Sequence, residues 1–131
     1  MTRIGKLSVV GTLSLCALLA FAGKAVAGED PVKVAPDKCK VLLENDDVRV
    51  YEFVLKPGET MPMHSHPRTS IYSLTDAKLK ISTPDGASQD AEFKAGQAYF
   101  HGPVTHAGVN VGTTDCHLII SEIKPSHPKK Q

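Results

Sequence analysis

From Gly28 onward, no stretch of the sequence holds an amphipathic helical period for three turns, which excludes a core built from packed helices. There is no internal repeat of solenoid type and no low-complexity segment. The ten glycines sit singly, so no glycine-rich loop is present to cradle phosphate, and no arrangement of residues suggests a nucleophilic triad. Charge of one sign is lacking too. Fifteen Lys and Arg stand against fourteen Asp and Glu, net +1, which gives no footprint for nucleic acid or an acidic surface. At 131 residues there is room for one domain at most.

The one long apolar run lies at the start. Arg3 and Lys6 precede a mostly apolar stretch from Leu7 to Phe21, and Ala25-Val26-Ala27 makes a small-x-small cleavage site. This pattern predicts a secretory signal peptide over 1–27, cleaved to leave Gly28 first. The run is short for a membrane span of about 20 apolar residues, so no stable anchor is expected after cleavage. Leu13-Ser14-Leu15-Cys16 resembles a bacterial lipoprotein box, but Leu15 is large where that box wants a small residue. The expected location is the periplasm or the exterior. Without the leader the balance is 12 basic residues against 14 acidic, net −2, ordinary for a soluble domain.

Two of the three cysteines, Cys39 and Cys116, remain after cleavage, in a compartment where disulfides persist. Two readings are open: one bridge tying the N-terminal segment to the last strand, or two small buried side chains. Spacing does not decide between them, because a bridge is a matter of geometry.

What is present is a succession of short strand patterns. Residues 28–47, with Pro31, Pro36 and mixed charge, read as an extended lead-in whose one strand is Val41–Glu44. Asn45-Asp46-Asp47 is turn chemistry. Val48–Leu55 is the strongest strand, with Val48, Val50 and Val54 on one parity and Tyr51, Phe53 and Leu55 on the other. A strand apolar on both faces is buried on both, in a sandwich or an oligomer interface, and a homodimer through this strand is expected. Further strands are expected at the histidine stretch before Pro67, then at Ser70–Leu74, Lys78–Ser82, Gln89–Phe93, Gln97–His101, Thr105–Val111 and Cys116–Ile123. Lys124–Gln131 reads as a flexible tail. Short strands with a turn every 6–12 residues are the signature of an all-β sandwich or barrel, here over 48–123.

The stretch around His64-Ser65-His66 carries the chemistry. Side chains two apart on a strand share a face about 7 Å apart, close enough to meet at one metal. His106 lies in a second strand, forty residues on. Gly58, five residues, then His64-x-His66 resembles the first motif of the cupin family, and His106-x-x-x-Asn110 resembles the end of the second. The glutamate slot of the first motif falls on Ser70, or on Ile71 with the longer spacing, and its last glycine slot on Ala77. In the second motif His101 stands in the proline slot, Pro103 in the glycine slot, and the leading glycine is displaced to Gly96.

The resemblance implies a single jelly-roll β-barrel with a metal in its mouth, held by His64, His66 and His106. Without the glutamate the site is three neutral imidazoles. It suits a divalent transition metal (Fe, Zn, Cu, Ni or Mn) completed by an anionic ligand or substrate. Some cupin thiol dioxygenases resemble this arrangement, which is a likeness of site, since a fold does not carry a function.

Ser70, Tyr72 and Phe100 are expected at the pocket, with Tyr99 as a further wall. Ser70 either holds a water on the metal or leaves room there. His101 reads either as an acid or base at the pocket edge or as a solvated loop histidine, and His117 as an interface position as readily as a ligand. Met61 and Met63 have the opposite parity to the two histidines, which weighs against all four sharing a face, and both are expected as core or rim packing. Two functions remain open. One is a metal-dependent enzyme, in the first place an oxygenase on a small molecule. The other is a non-catalytic module that holds a metal or ligand, or works metal-free.

Overall fold

The strand expected over Val48–Leu55 forms over those residues and is the spine of the molecule. The structure, a computed structural model, describes residues 28–125, so the predicted leader and the tail beyond Pro125 lie outside the described residues. A one-turn helix, α1 (Pro31–Val34), precedes nine strands: β1 (Cys39–Glu44), β2 (Val48–Leu55), β3 (Thr60–His66), β4 (Arg68–Ser73), β5 (Ala77–Ser82), β6 (Ser88–Phe93), β7 (Ala98–His101), β8 (Val104–Asn110) and β9 (Cys116–Ile123). They make a five-stranded sheet, β1-β2-β9-β4-β7, and a four-stranded sheet, β3-β8-β5-β6. Every described strand pair is antiparallel. The two sheets face each other as a jelly roll that is not strictly closed into a barrel.

The alternation along β2 sorts its side chains. Tyr51, Phe53 and Leu55 turn inward and are buried, while Val48, Val50 and Val54 lie half-buried on the outer face. Leu118 and Ile120 of β9 and Ile71 of β4 extend this inner layer, and Met61 and Leu79 meet it from the other sheet. Full burial of each such side chain is worth about 1.5–3 kcal/mol.

The lead-in is more structured than its composition suggests. Asp30 caps α1 by accepting a hydrogen bond from Val32 N at 3.0 Å, and Pro31 takes the first helical position, where its missing N–H costs nothing. Glu29 then bridges to His64, with Ser65 N donating to Glu29 O at 2.9 Å. Gly28 has to be a glycine in this seat, because an added Cβ would lie 2.7 Å from the His64 carbonyl carbon.

The two motif ends meet through the backbone. Gly58, at φ +80°, closes the turn after Pro57. Its N–H donates to Asn110 O at 2.8 Å, and Asn110 N donates to Glu59 O at 3.0 Å. The Asn110 amide, 1% exposed, donates to Leu55 O and Thr114 O, each at 2.8 Å. The two motifs thus register β3 against β8.

That register breaks between Met61 and His64, where β3 carries an irregularity. A bulge inserts a residue and inverts the facing of the residues beyond it. Met61 therefore points inward together with His64 and His66, and the strict parity that would have set it apart does not hold.

Cys39 and Cys116 are both free and buried. Cys39 pairs with Phe53 on one side of β2, and Cys116 with Leu55 on the other. Two strand spacings, about 9.5 Å, separate them, beyond the reach of a disulfide. The bridge is ruled out and the buried-thiol alternative holds. Burial pushes the two thiols up, to about 11 and about 12 respectively. A thiol-reactive chromophore is thus expected to find both cysteines unreactive in native mature protein and two thiols per chain after denaturation without reductant. Finding none after denaturation would mean a bridge.

Candidate metal centre

His64 and His66 project from β3, and the β3–β8 ladder sets His106 directly opposite His64. The three rings converge, with centroids 4.6 Å apart for His64–His66, 4.7 Å for His64–His106 and 5.2 Å for His66–His106. One ring nitrogen from each lies within 4.8 Å of the others, the grouping a single metal ion requires. His64 and His66 are buried and His106 is half-buried. The sequence-predicted triad is therefore assembled.

Hydrogen bonds at the outer nitrogens decide what the inner ones offer. His64 Nδ1 lies 2.6 Å from Pro62 O, which can only accept, so Nδ1 carries the proton. His66 Nδ1 lies 2.8 Å from Glu122 Oε1 and donates to that carboxylate. Both Nε2 atoms then turn inward, 2.8 Å apart. Two lone pairs at that distance repel, and the contact becomes attractive only with a cation, either a proton or a metal ion, between them. The donor set thus fits a divalent transition metal.

Glu122 is the functional residue that sequence reasoning missed. It is 3% exposed and comes from β9, fifty-six residues beyond His66. Its Oε2 accepts from Arg49 Nε at 2.9 Å and from a terminal guanidinium nitrogen at 2.5 Å, and Oε1 accepts from the Tyr51 hydroxyl at 3.3 Å. Arg49 in turn forms a second pair of bonds to Asp30, at 2.8 and 2.9 Å. Burial works to raise the Glu122 carboxyl, but the bonds from His66 and Arg49 outweigh it and hold it below the ordinary value. Glu122 is thus an ionised group that orients His66, with both oxygens engaged. The inward parity of β9 was the one available signal, since Leu118, Ile120 and Glu122 share a face.

Three expected pocket residues are not at the pocket. Ser70, Tyr72 and Phe100 lie on the outer face of the five-stranded sheet, with Tyr72 47% and Phe100 59% exposed. The β4–β7 register explains it: Ser70 pairs with Phe100 and Tyr72 with Ala98 outside, while Thr69 pairs with His101 and Ile71 with Tyr99 inside. A shift of one residue exchanges the faces of a strand. Thr69, Ile71 and His101 therefore line the cavity with the triad, and Met61, Phe53 and Leu118 wall it. Tyr99 packs edge-on against Phe93, 5.2 Å between centroids, beside the core. The free space is about 60 Å³, room for a few water-sized groups. Among the described residues no carboxylate lines it. His117 is remote from the centre, its Nε2 2.7 Å from Glu52 Oε1, and His127 lies outside the described residues.

Burial lowers His64 to about 4 and His106 to about 3. In the unfolded chain both titrate near 6.5, so below that pH the unfolded state binds more protons. Stability of the metal-free protein is thus full above about pH 6.5 and falls as pH drops toward 4. Asp30 and Glu122, both held low, add to the loss below the carboxylate range. Denaturant titrations of chelator-treated protein at pH 7.5, 6 and 5 are expected to show midpoints falling in that order.

No protein-family profile matches the sequence, and no curated protein does. Solved structures resemble it. A cupin domain from Bordetella pertussis Tohama I superposes with a TM-score of 0.61 at 27% identity, covering 66% of this chain and 92% of that one. A cupin-family protein with a double-stranded β-helix fold from Methanocaldococcus jannaschii gives 0.53 at 15% identity, covering 66% and 78%. A conserved protein with a double-stranded β-helix domain from Klebsiella pneumoniae gives 0.52 at 22%, covering 66% and 75%. With two facing antiparallel sheets, inward histidines from β3 and β8, and these neighbours, the chain is a small cupin-like domain.

Proposed function

We propose that this protein is an exported cupin-like domain that binds one divalent transition metal through His64, His66 and His106 and offers the remaining coordination to a small ligand. The observation that carries this is the inward convergence of imidazole nitrogens whose outer nitrogens are committed to Pro62 O and Glu122. Three neutral donors leave the metal's charge uncompensated, and no carboxylate lines the cavity among the described residues. The favoured ligand is therefore small and anionic. A bound metal supplies Lewis acidity and, for iron, copper or manganese, electron exchange with O₂. The chain itself supplies the orientation: Glu122 holds His66, Pro62 O holds His64, and the apolar walls exclude water.

The presence or absence of turnover divides the reading into two. An oxygenase on a small molecule needs a redox metal and an open position, and the mostly apolar lining suits O₂ and a small organic substrate. A binding module needs only retention. Export rests on the leader pattern of 1–27 alone, and cleavage after Ala27 would leave the contacts of Gly28 and Glu29 with β3 whole.

The test is elemental analysis of mature protein, repeated for His64→Ala, His106→Ala and Glu122→Gln. About one metal per chain is expected, lost in both histidine variants. Glu122→Gln is expected to bind it roughly 10–100-fold more weakly. No stoichiometric metal after reloading sinks the proposal. Oxygen uptake with thiols and phenolics then separates the oxygenase from the module.

Association as a homodimer is part of the same proposal. The outer face of the five-stranded sheet exposes Leu43, Tyr72, Phe100 and Ile123 beside Val50 and Ile119, apolar side chains interleaved with Ser70, Ser121 and Arg68, and this is the face the dimer would use. Light scattering at micromolar concentration is expected to give twice the mature chain mass, and Phe100→Lys to give a monomer. A monomeric unmutated protein would refute the dimer.

A further inference from the structure

Besides the triad, the polar side chains lining the cavity among the described residues are Tyr51, Thr69 and His101. Each has its polar hydrogen committed elsewhere. The Tyr51 hydroxyl donates to Glu122 Oε1 at 3.3 Å, and the Thr69 hydroxyl donates to Pro67 O at 2.9 Å. His101 Nδ1 lies 2.8 Å from Gly102 O, which can only accept, so in the neutral ring Nδ1 carries the proton and Nε2 the lone pair. Thr69 and His101 are cross-strand partners on the inner face of β4 and β7, so their side chains stand next to each other. What these three side chains have left for a ligand is therefore lone pairs. The His101 ring centroid is 5.8 Å from that of His66 and 6.4 Å from that of His106, against 4.6 to 5.2 Å within the triad. His101 thus stands outside the group that one ion can gather, at the range of whatever that ion holds. An ion–ligand bond of about 2.1 Å followed by a hydrogen bond of about 2.8 Å spans a gap of that order.

We propose that His101 selects the ligand of this site, its Nε2 accepting a hydrogen bond from a hydroxyl, so that the small anion held here is a short hydroxy acid. This rests on the three-histidine centre above and names the class of ligand it takes. The carboxylate offsets the charge that three neutral imidazoles leave on the ion, and the hydroxyl supplies the hydrogen that the cavity's own side chains lack. An anion with acceptors alone sets its lone pairs against those of His101 and Thr69 and leaves Nε2 without a donor. A site built to bind a hydroxyl discriminates against the analogue that lacks it for this reason. The free space of about 60 Å³ limits the acid to a few non-hydrogen atoms. The walls formed by Phe53, Met61 and Leu118 are apolar and offer a longer polar chain nothing to bond.

The probes are glycolate and acetate, two carboxylates that differ by one hydroxyl, titrated into mature protein loaded with one equivalent of Co(II) and followed by its visible absorption. His101→Ala, His101→Phe and, as a control outside the cavity, His117→Ala are compared with the unmutated protein. His101 is half-buried at a strand end, so the fold is expected to survive, and Phe retains a ring should Ala not fold. The quantity read is the ratio of glycolate to acetate affinity. Chelation of the ion by glycolate enters that ratio equally in every variant, so a change between variants isolates the side chain. The unmutated protein is expected to favour glycolate, and both His101 variants to lower the ratio about 3–10-fold, the worth of one hydrogen bond. Co(II) affinity is expected to stay the same in them, and His117→Ala to change neither quantity. An unchanged ratio in the His101 variants, or acetate bound as tightly as glycolate by the unmutated protein, overturns the selection and leaves the three-histidine centre standing. Loss of Co(II) itself from the His101 variants also overturns it, since the residue would then hold the ion. A lack of stoichiometric metal in the unmutated protein overturns both readings.

Discussion

Glu122 is an ionised carboxylate buried between two sheets, and such a group survives only if each oxygen is paired. Arg49, His66 and Tyr51 pair it, and Asp30 pairs the other side of Arg49. The chain of contacts ties together the N-terminal segment, β2, β3 and β9. Each element is needed by the next: Asp30 is the cap of α1, Arg49 begins the inward row of β2, and His66 is part of the triad. The interaction that orients the histidine therefore also closes the lead-in over the barrel.

The second constraint is the irregularity in β3. A regular strand would place Met61 and His64 on opposite faces. The break in pairing between them turns both inward, so one strand delivers an apolar wall and two imidazoles to the same cavity. The tautomers are set locally, because Pro62 within the break offers its carbonyl to His64 Nδ1. His64 and His66 are thus fixed by one backbone acceptor and one carboxylate, which is why both present lone pairs inward without rearrangement.

Much of this was legible in the residues. Strand bounds for Val48–Leu55 and Cys116–Ile123 came from β-branched and aromatic runs ended by turn residues, and those signals are local. The triad was legible because His64 and His66 are two apart and His106 sits at the spacing of a resembling motif. The outward facing of Ser70, Tyr72 and Phe100 was not legible. A strand with polar and apolar residues on both parities, as in Ser70–Leu74, does not announce which parity faces in, and only pairing with β7 and β9 decides. The cysteines illustrate the same limit, since a strand lying between them is a property of topology.

The sequence by itself determined the all-β class, the strand-and-turn rhythm and the three imidazoles, because period, turn chemistry and residue type act within a few residues of chain. Tertiary structure alone decided that Glu122 stands behind His66, that a bulge brings Met61 round to the histidines, and that Thr69 and His101 rather than Ser70 and Phe100 face the cavity with the three histidines. Those outcomes depend on which strands become neighbours and in what register. Register is set by the summed burial of two whole sheets, and no single segment carries that sum.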